Sequence, residues 1–217
     1  MKIHVLTPFH RVHLIQTLIH YLEPMNIEWY PIVLPKENAS FNRDWIHPIC
    51  LKKETMLTNF IPYEKINDFI TTQEIFDTDY YSFLGDDDMY EPGFCDVVRQ
   101  QTSKILFCSI YRGDSIPKNA EPHPPIPIIL KSLHDIRVCN IGFGMCTLKG
   151  EILKQTRFNM THKWDDGRYM ERLKLRFPHE IKILSNTFVF GNYFEPGRYT
   201  DATKLLKPNW ELPKIIK

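Results

Sequence analysis

Two groups of carboxylates are the residues in this chain most able to do chemistry. The first is Asp86-Asp87-Asp88, which follows the apolar, aromatic run Tyr80-Tyr81-Ser82-Phe83-Leu84 and Gly85. Three like charges in a row repel one another, and burying any of them unpaired is costly. A cation relieves the repulsion. An all-oxygen ligand set favours a hard ion, Mg²⁺ or Mn²⁺, shared with substrate phosphates. The plain alternative is a solvated acidic turn after an edge strand. The second group is Asp165-Asp166, in the stretch Trp164-Asp165-Asp166-Gly167-Arg168-Tyr169. Its simplest account is an N-cap with dipole complementarity, which needs no catalysis.

The elements that must position these groups can be read along the chain. Lys2 to Leu6 reads as a first strand, and Thr7-Pro8 as a helix start, with threonine as N-cap and proline at the first helical position. Val12, Ile15, Leu18, Ile19 and Leu22 follow at helical spacing until Pro24, and Ile27 to Leu34 reads as a second strand. A strand, helix and strand in this order form a parallel, right-handed βαβ opening. The turn at Thr7, Pro8 and Phe9, running on to Arg11, then lies at a strand's C-terminal edge, a place for a nucleotide. It carries neither Gly-x-Gly-x-x-Gly nor a Gly-Lys-Ser/Thr loop.

Residues 35–58 show no clear period, and Arg43 there reads as a surface ion pair before a phosphate ligand. Pro62 opens a helix with Ile66, Phe69 and Ile70 on one face and Asn67 off it. After the acidic triplet, Glu91-Pro92 starts a helix and Lys104 to Ile110 is a strand. Arg112 to Asp135 holds five prolines (117, 122, 124, 125 and 127) and reads as a long surface excursion, either a binding loop or a spacer. Gly142-Phe143-Gly144 then marks a close backbone approach or a bulge, followed by a short strand and the polar turn Lys149-Gly150-Glu151. The helix headed by Asp165-Asp166 leads to a last strand, Ile181 to Phe190.

Composition limits the function classes. The 217 residues are 43% apolar and 24% charged, with a net charge of +1, so no basic field points to nucleic acid. The N-terminal apolar run is too short for a signal-peptide core, and no run approaches the ~20 apolar residues of a membrane helix. Five cysteines without a Cys-x-x-Cys pair indicate a reducing compartment, and the expected location is cytoplasmic. His10 and His13, three apart, lack a third metal partner in sequence. The tail, Lys204 to Lys217, mixes lysines with Leu205, Leu206, Trp210, Ile215 and Ile216, and reads as a sheet-edge cover or a contact with an anionic surface at the inner face of a membrane.

The order of a βαβ opening, an acidic triplet after a strand, a glycine-flanked strand and an acidic pair heading a later helix resembles the GT-A glycosyltransferases. The likeness is strongest to the small family-2-like enzymes that use nucleotide-sugar donors. It implies one α/β, Rossmann-like catalytic domain over residues 1–217, with a mostly parallel central sheet flanked by helices. Asp86-Asp87-Asp88 is similar to the Asp-x-Asp motif of that family, which implies Asp86 and Asp87 near the donor and Asp86 and Asp88 at the Mn²⁺ or Mg²⁺ ion. Asn67 matches an asparagine on the preceding helix. With Thr7, Pro8, Phe9 and Arg11 it completes the implied nucleotide-sugar contacts. Asp165-Asp166 is similar to the family's Glu-Asp pair, which makes Asp166 the favoured base of inverting transfer and Asp165 its alternate. The donor implied is a UDP- or GDP-sugar, and the acceptor a hydroxyl on a glycan, a lipid-linked saccharide or a protein. Two other readings stand beside this one: a nucleotidyltransferase using the same metal–diphosphate chemistry, and a nucleotide-sugar-binding protein without turnover.

Overall fold

The computed structural model describes residues 1–9, 11–34, 41–51, 61–112, 126–138, 140–159 and 165–191. Among the described residues the frame is one nine-stranded sheet. Strands β1 (Ile3–Pro8), β2 (Glu28–Val33), β3 (Ile49–Cys50) and β4 (Tyr80–Phe83) run parallel in the order β3-β2-β1-β4. Beyond β4 the order continues with β8 (Cys146–Lys149), β6 (Ile105–Arg112), β9 (Ile181–Gly191) and β5 (Met89–Tyr90). Strand β8 is antiparallel to both neighbours, so β6 and β9 return to the direction of β1. The short β7 (Ile126–Ile128) lies antiparallel on β6, beyond the end of β8. The result is α/β, mostly parallel and Rossmann-like, as the sequence implied.

Helices α1 (Ile15–Leu22), α2 (Ile61–Thr72), α3 (Phe94–Arg99), α4 (Gly150–Leu153) and α5 (Asp165–Arg176) flank the sheet. On α2, Ile66, Phe69 and Ile70 are buried as the helical period requires. Both faces of the central strands are covered, so β1, β4 and β6 are buried almost without alternation.

Four local readings are corrected. Thr7-Pro8 does not start a helix: both residues belong to β1, and a 3₁₀ turn, Val12–Leu14, precedes α1. The cause is tertiary. Thr7 is fully buried and its hydroxyl accepts a hydrogen bond from the Trp29 indole at 2.9 Å, while Phe9 N–H continues the ladder to Ile32 at 3.0 Å. Residues 35–58, which show no clear period, contribute the two-residue strand β3, too short to show one. Lys149-Gly150-Glu151 is no simple turn, because Gly150 opens α4; a Cβ there would lie 2.1 Å from the Phe76 carbonyl oxygen. The proline-rich excursion ends in β7, where Pro127 stands opposite Tyr111 on a strand that, among the described residues, is paired on one side, the setting that tolerates proline. Residues 113–125, the tail, His10, Cys139 and Trp164 lie outside the described residues.

Candidate active site

The acidic triplet occupies a tight turn between β4 and β5. Asp88 N–H donates to the Gly85 carbonyl at 3.2 Å, and the Asp88 carboxylate accepts the Gly85 N–H at 3.1 Å. Gly85 leaves room for the Asp88 carboxylate: an added Cβ would lie 2.6 Å from Asp88 Oδ2, so the carboxylate would have to shift. The turn is braced by Tyr90, whose hydroxyl donates to the Phe83 carbonyl at 2.6 Å and accepts from Ser82 Oγ at 2.9 Å. Ser82 in turn shares a 2.7 Å bond with Thr147 on β8. Burial pushes the Tyr90 phenol well above its ordinary value, which keeps it a donor.

The three carboxylates have different surroundings. Asp86 and Asp87 are buried and Asp88 is half-exposed. Arg11 binds Asp86 through its backbone N–H at 2.7 Å and through its guanidinium, and its Nη2 lies 3.1 Å from Asp87 Oδ2. The cation that the triplet demands is therefore supplied, for two of its members, by a side chain from the segment after β1. Asp88 instead faces two glycines: hypothetical Cβ atoms on Gly144 and Gly191 would come within 3.7 and 3.8 Å of its oxygens. The pairing of β5 with the end of β9 brings Gly191 there.

The donor set can be tested against a metal ion. Among the described residues no group of three or more His, Cys, Asp or Glu is arranged to hold one. Mg²⁺ commonly binds through one or two carboxylates plus substrate phosphates. Asp88, accessible and walled by glycines, fits that pattern. Asp86 fits less well, because both its oxygens already accept from Arg11 and a second cation there would be repelled.

The acidic pair heads α5, as the sequence indicated. Asp165 is fully buried: its Oδ2 accepts Asn159 N–H at 2.6 Å, and its Oδ1 lies 3.6 Å from Arg172 Nη1. Asp166 is half-exposed, with Oδ1 accepting Gly167 N–H at 2.8 Å. The Tyr63 phenol is held above its ordinary range by burial first and by the Asp166 charge second, and it lies within hydrogen-bonding reach of Asp166. Gly167 lets α5 dock closely, since a Cβ there would come within 3.0 Å of Val138 Cα.

An aromatic block links the two groups. Phe83 packs on Phe143 (5.2 Å between ring centroids), Phe158 (5.8 Å) and Tyr169 (6.3 Å). Tyr63 stacks on Phe158 at 5.1 Å and approaches Phe143 at 6.3 Å. Asp88 thus lies beside Gly144, which is next in the chain to Phe143, and Phe143 in turn neighbours Tyr63 beside Asp166. In the Gly142-Phe143-Gly144 stretch the close approach is at Gly144, where a Cβ would lie 3.0 Å from Val189 Cγ1, and Phe143 belongs to the block.

Other expected contacts fall elsewhere. Asn67 donates to the Phe158 carbonyl at 2.8 Å and accepts Phe158 N–H at 2.9 Å, so both ends of its amide hold backbone. Thr7 and Phe9 are core residues, and Pro8 ends β1. Arg43 lies 3.3 Å from Glu23 on the surface. Two residues escaped the sequence reading, Tyr63 and Lys65. Lys65 is fully buried and donates to the Phe9 carbonyl at 2.5 Å, bracing the segment before Arg11. Its signal was available, because Lys65 falls four residues before Phe69 on the apolar stripe of α2.

The fold and the turn at its sheet edge define a Rossmann-like α/β protein with an acidic, glycine-walled site. No protein-family model and no curated protein matches the sequence. Among solved structures the chain is similar to the inositol-1-phosphate CTP transferase from T. maritima, with a TM-score of 0.52 and 10% sequence identity, over 94% of this chain and 93% of that one. At that identity the likeness is one of fold. Among the described residues no helix is long and apolar enough to cross a membrane.

Proposed function

We propose that this protein is a divalent-metal-dependent transferase acting on a nucleotide-activated substrate, and that it moves a sugar from a UDP- or GDP-sugar to an acceptor hydroxyl with inversion. The observation that carries this reading is the pair of half-exposed carboxylates, Asp88 and Asp166, at opposite ends of one aromatic block. Asp88 would hold Mn²⁺ or Mg²⁺ together with the donor diphosphate. When bound, the ion acts as a Lewis acid on the departing diphosphate. Arg11 keeps Asp86 and Asp87 neutralised and the turn in place. The aromatic block excludes water, and Asp166 accepts the proton of the attacking hydroxyl, help typically worth ~10²–10⁴ in rate. Tyr63 orients that carboxylate.

Nucleotidyl transfer is the second reading, favoured by the structural likeness to a CTP transferase. The chemistry separates the two. A phosphate nucleophile is already ionised at neutral pH and needs no base, whereas a hydroxyl does. An acidic pair beside the acceptor would also repel a phosphate. Asp166 therefore supports the sugar-transfer reading.

The test compares products. The protein is incubated with UDP- or GDP-sugars and Mn²⁺, and separately with nucleoside triphosphates and sugar 1-phosphates. Release of nucleoside diphosphate in the first arm, absent from Asp88→Asn, is the expected outcome. Pyrophosphate in the second arm alone would establish nucleotidyl transfer. Tight donor binding with no product in either arm would leave a binding protein.

A further inference from the structure

Beside α5 lies a cavity of about 520 Å³, lined among others by Arg157, Arg172, Arg176, Tyr169 and Leu173. The size is that of a small-molecule site, ~300–1,000 Å³. Three guanidinium groups converge on it from two parts of the chain. Arg172 and Arg176 stand four apart on α5, and Arg157 comes from the segment after α4. Like charges gathered in this way repel unless something anionic lies between them. Among the described residues, Asp165 is the one carboxylate within 4 Å of any of the three, 3.6 Å from Arg172.

A plainer account is that basic residues near a helix C-terminus complement its dipole. It covers Arg176 on α5 and, in part, Arg157, whose Nη1 also reaches the last carbonyls of α4, Leu153 at 3.5 Å and Lys154 at 3.1 Å; it does not account for the three guanidinium groups lining one cavity. Each arginine is anchored at one end and open at the other. Arg157 Nη1 donates to the carbonyls of Lys154 (3.1 Å) and Thr156 (2.7 Å), Arg176 Nη1 to Gln155 (2.9 Å), and Arg172 Nη2 to Arg157 (3.2 Å). Two also lie over rings: Arg172 Cζ is 5.8 Å from the Tyr169 centroid and Arg176 Cζ 5.0 Å from that of Phe177. A guanidinium has five N–H donors, and these contacts use a minority of them. The remaining forks are pre-oriented, which lowers the entropic cost of gripping a tetrahedral oxyanion. The buried ring of Tyr169 and the side chain of Leu173 offer the body of such a ligand an apolar floor.

We propose that Arg157, Arg172 and Arg176 form a binding site for a phosphate monoester carried on a sugar- or glycerol-sized body, distinct from the acidic turn. The site stands whichever group the protein transfers. Its contact with the first site is Arg172, which reaches Asp165 at the head of the same helix. The ligand is either a soluble phosphorylated compound or a phosphorylated lipid headgroup.

The test uses the full chain in 0.15 M salt, where fields between exposed charges are screened beyond ~8 Å. Calorimetric titration with glycerol 3-phosphate is run beside co-sedimentation with phosphatidic acid vesicles, phosphatidylcholine vesicles being the control. Wild-type protein is expected to bind one probe, and Arg157→Gln/Arg176→Gln to weaken that binding at least tenfold with an unchanged thermal midpoint. Arg176→Gln alone, which gives up one carbonyl contact and the position over the Phe177 ring, covers the case in which the double variant unfolds, and is expected to weaken binding severalfold. Binding of glycerol 3-phosphate assigns a soluble ligand, and binding of phosphatidic acid vesicles alone assigns a headgroup. Arg157→Lys/Arg176→Lys separates a built site from net charge: it should bind nearly as poorly as the glutamine pair. No binding of either probe, or binding that the lysine pair retains in full, would overturn the proposal.

Discussion

Arg11→Ala tests the central electrostatic claim, that a side chain and not a metal neutralises most of the acidic turn. Asp86 is 1% exposed and the Arg11 side chain 29%. Removing one partner of a fully buried ion pair costs about 3–5 kcal/mol, because the other charge is left uncompensated. Two features reduce that here. Arg11 is partly solvated, and its backbone N–H, which also binds Asp86, survives the substitution. The expected loss is about 2–3 kcal/mol. With an m-value near ~3 kcal/mol/M, the urea midpoint should fall by about 0.7–1 M. Asp86→Asn supplies the internal check. It should destabilise the wild-type protein but stabilise the Arg11→Ala protein, since the orphaned charge is then gone, and the double-mutant cycle isolates the pair. An Arg11→Ala midpoint within about 0.2 M of wild type would refute the argument. Full recovery of the midpoint on adding Mn²⁺ would return the role to a metal ion.

Three further outcomes follow from the geometry. Asp166→Asn should keep its cap and its fold while lowering transfer by ~10² or more, whereas Asp165→Asn should destabilise by about 1–3 kcal/mol through its buried contacts to Asn159 and Arg172; parallel rate and urea measurements separate the two. Gly85→Ala places a methyl where the Asp88 carboxylate sits, so Mn²⁺–nucleotide affinity by calorimetry should fall about tenfold (~1.4 kcal/mol) with little change in stability. His4 is buried, stacked on Tyr81 and 3.1 Å from Asp79, and burial lowers its pKa despite that carboxylate. The unfolded chain therefore binds more protons than the folded one once the pH drops below about 6.5, so the His4 contribution is present above that pH and lost as pH falls toward its folded value. The midpoint of His4→Phe should be flatter across that range, and an unchanged slope would remove His4 from the account.

Much of the frame was legible because it depends on short-range pattern. The apolar run Tyr80 to Leu84, the helical stripe of α2 and the strand at Ile105 state their structure in their own spacing, and each occupies its expected place. The acidic pair likewise falls at a helix start. Other features depended on contacts between residues far apart in sequence. Thr7-Pro8 has good helix-start chemistry, yet the Trp29 indole, 22 residues on, draws Thr7 into the sheet. Asn67 looked free to meet a nucleotide until Phe158, 91 residues away, took both ends of its amide. The largest difference lies in the triplet itself. Composition shows three adjacent carboxylates and their need for positive charge. Which of them are buried, and that Arg11 from 75 residues upstream answers two of them, follows only once β1 and β4 lie side by side. Local sequence specifies periodicity and turn chemistry. The partner of a buried charge is set by strand order, which is a property of the whole sheet.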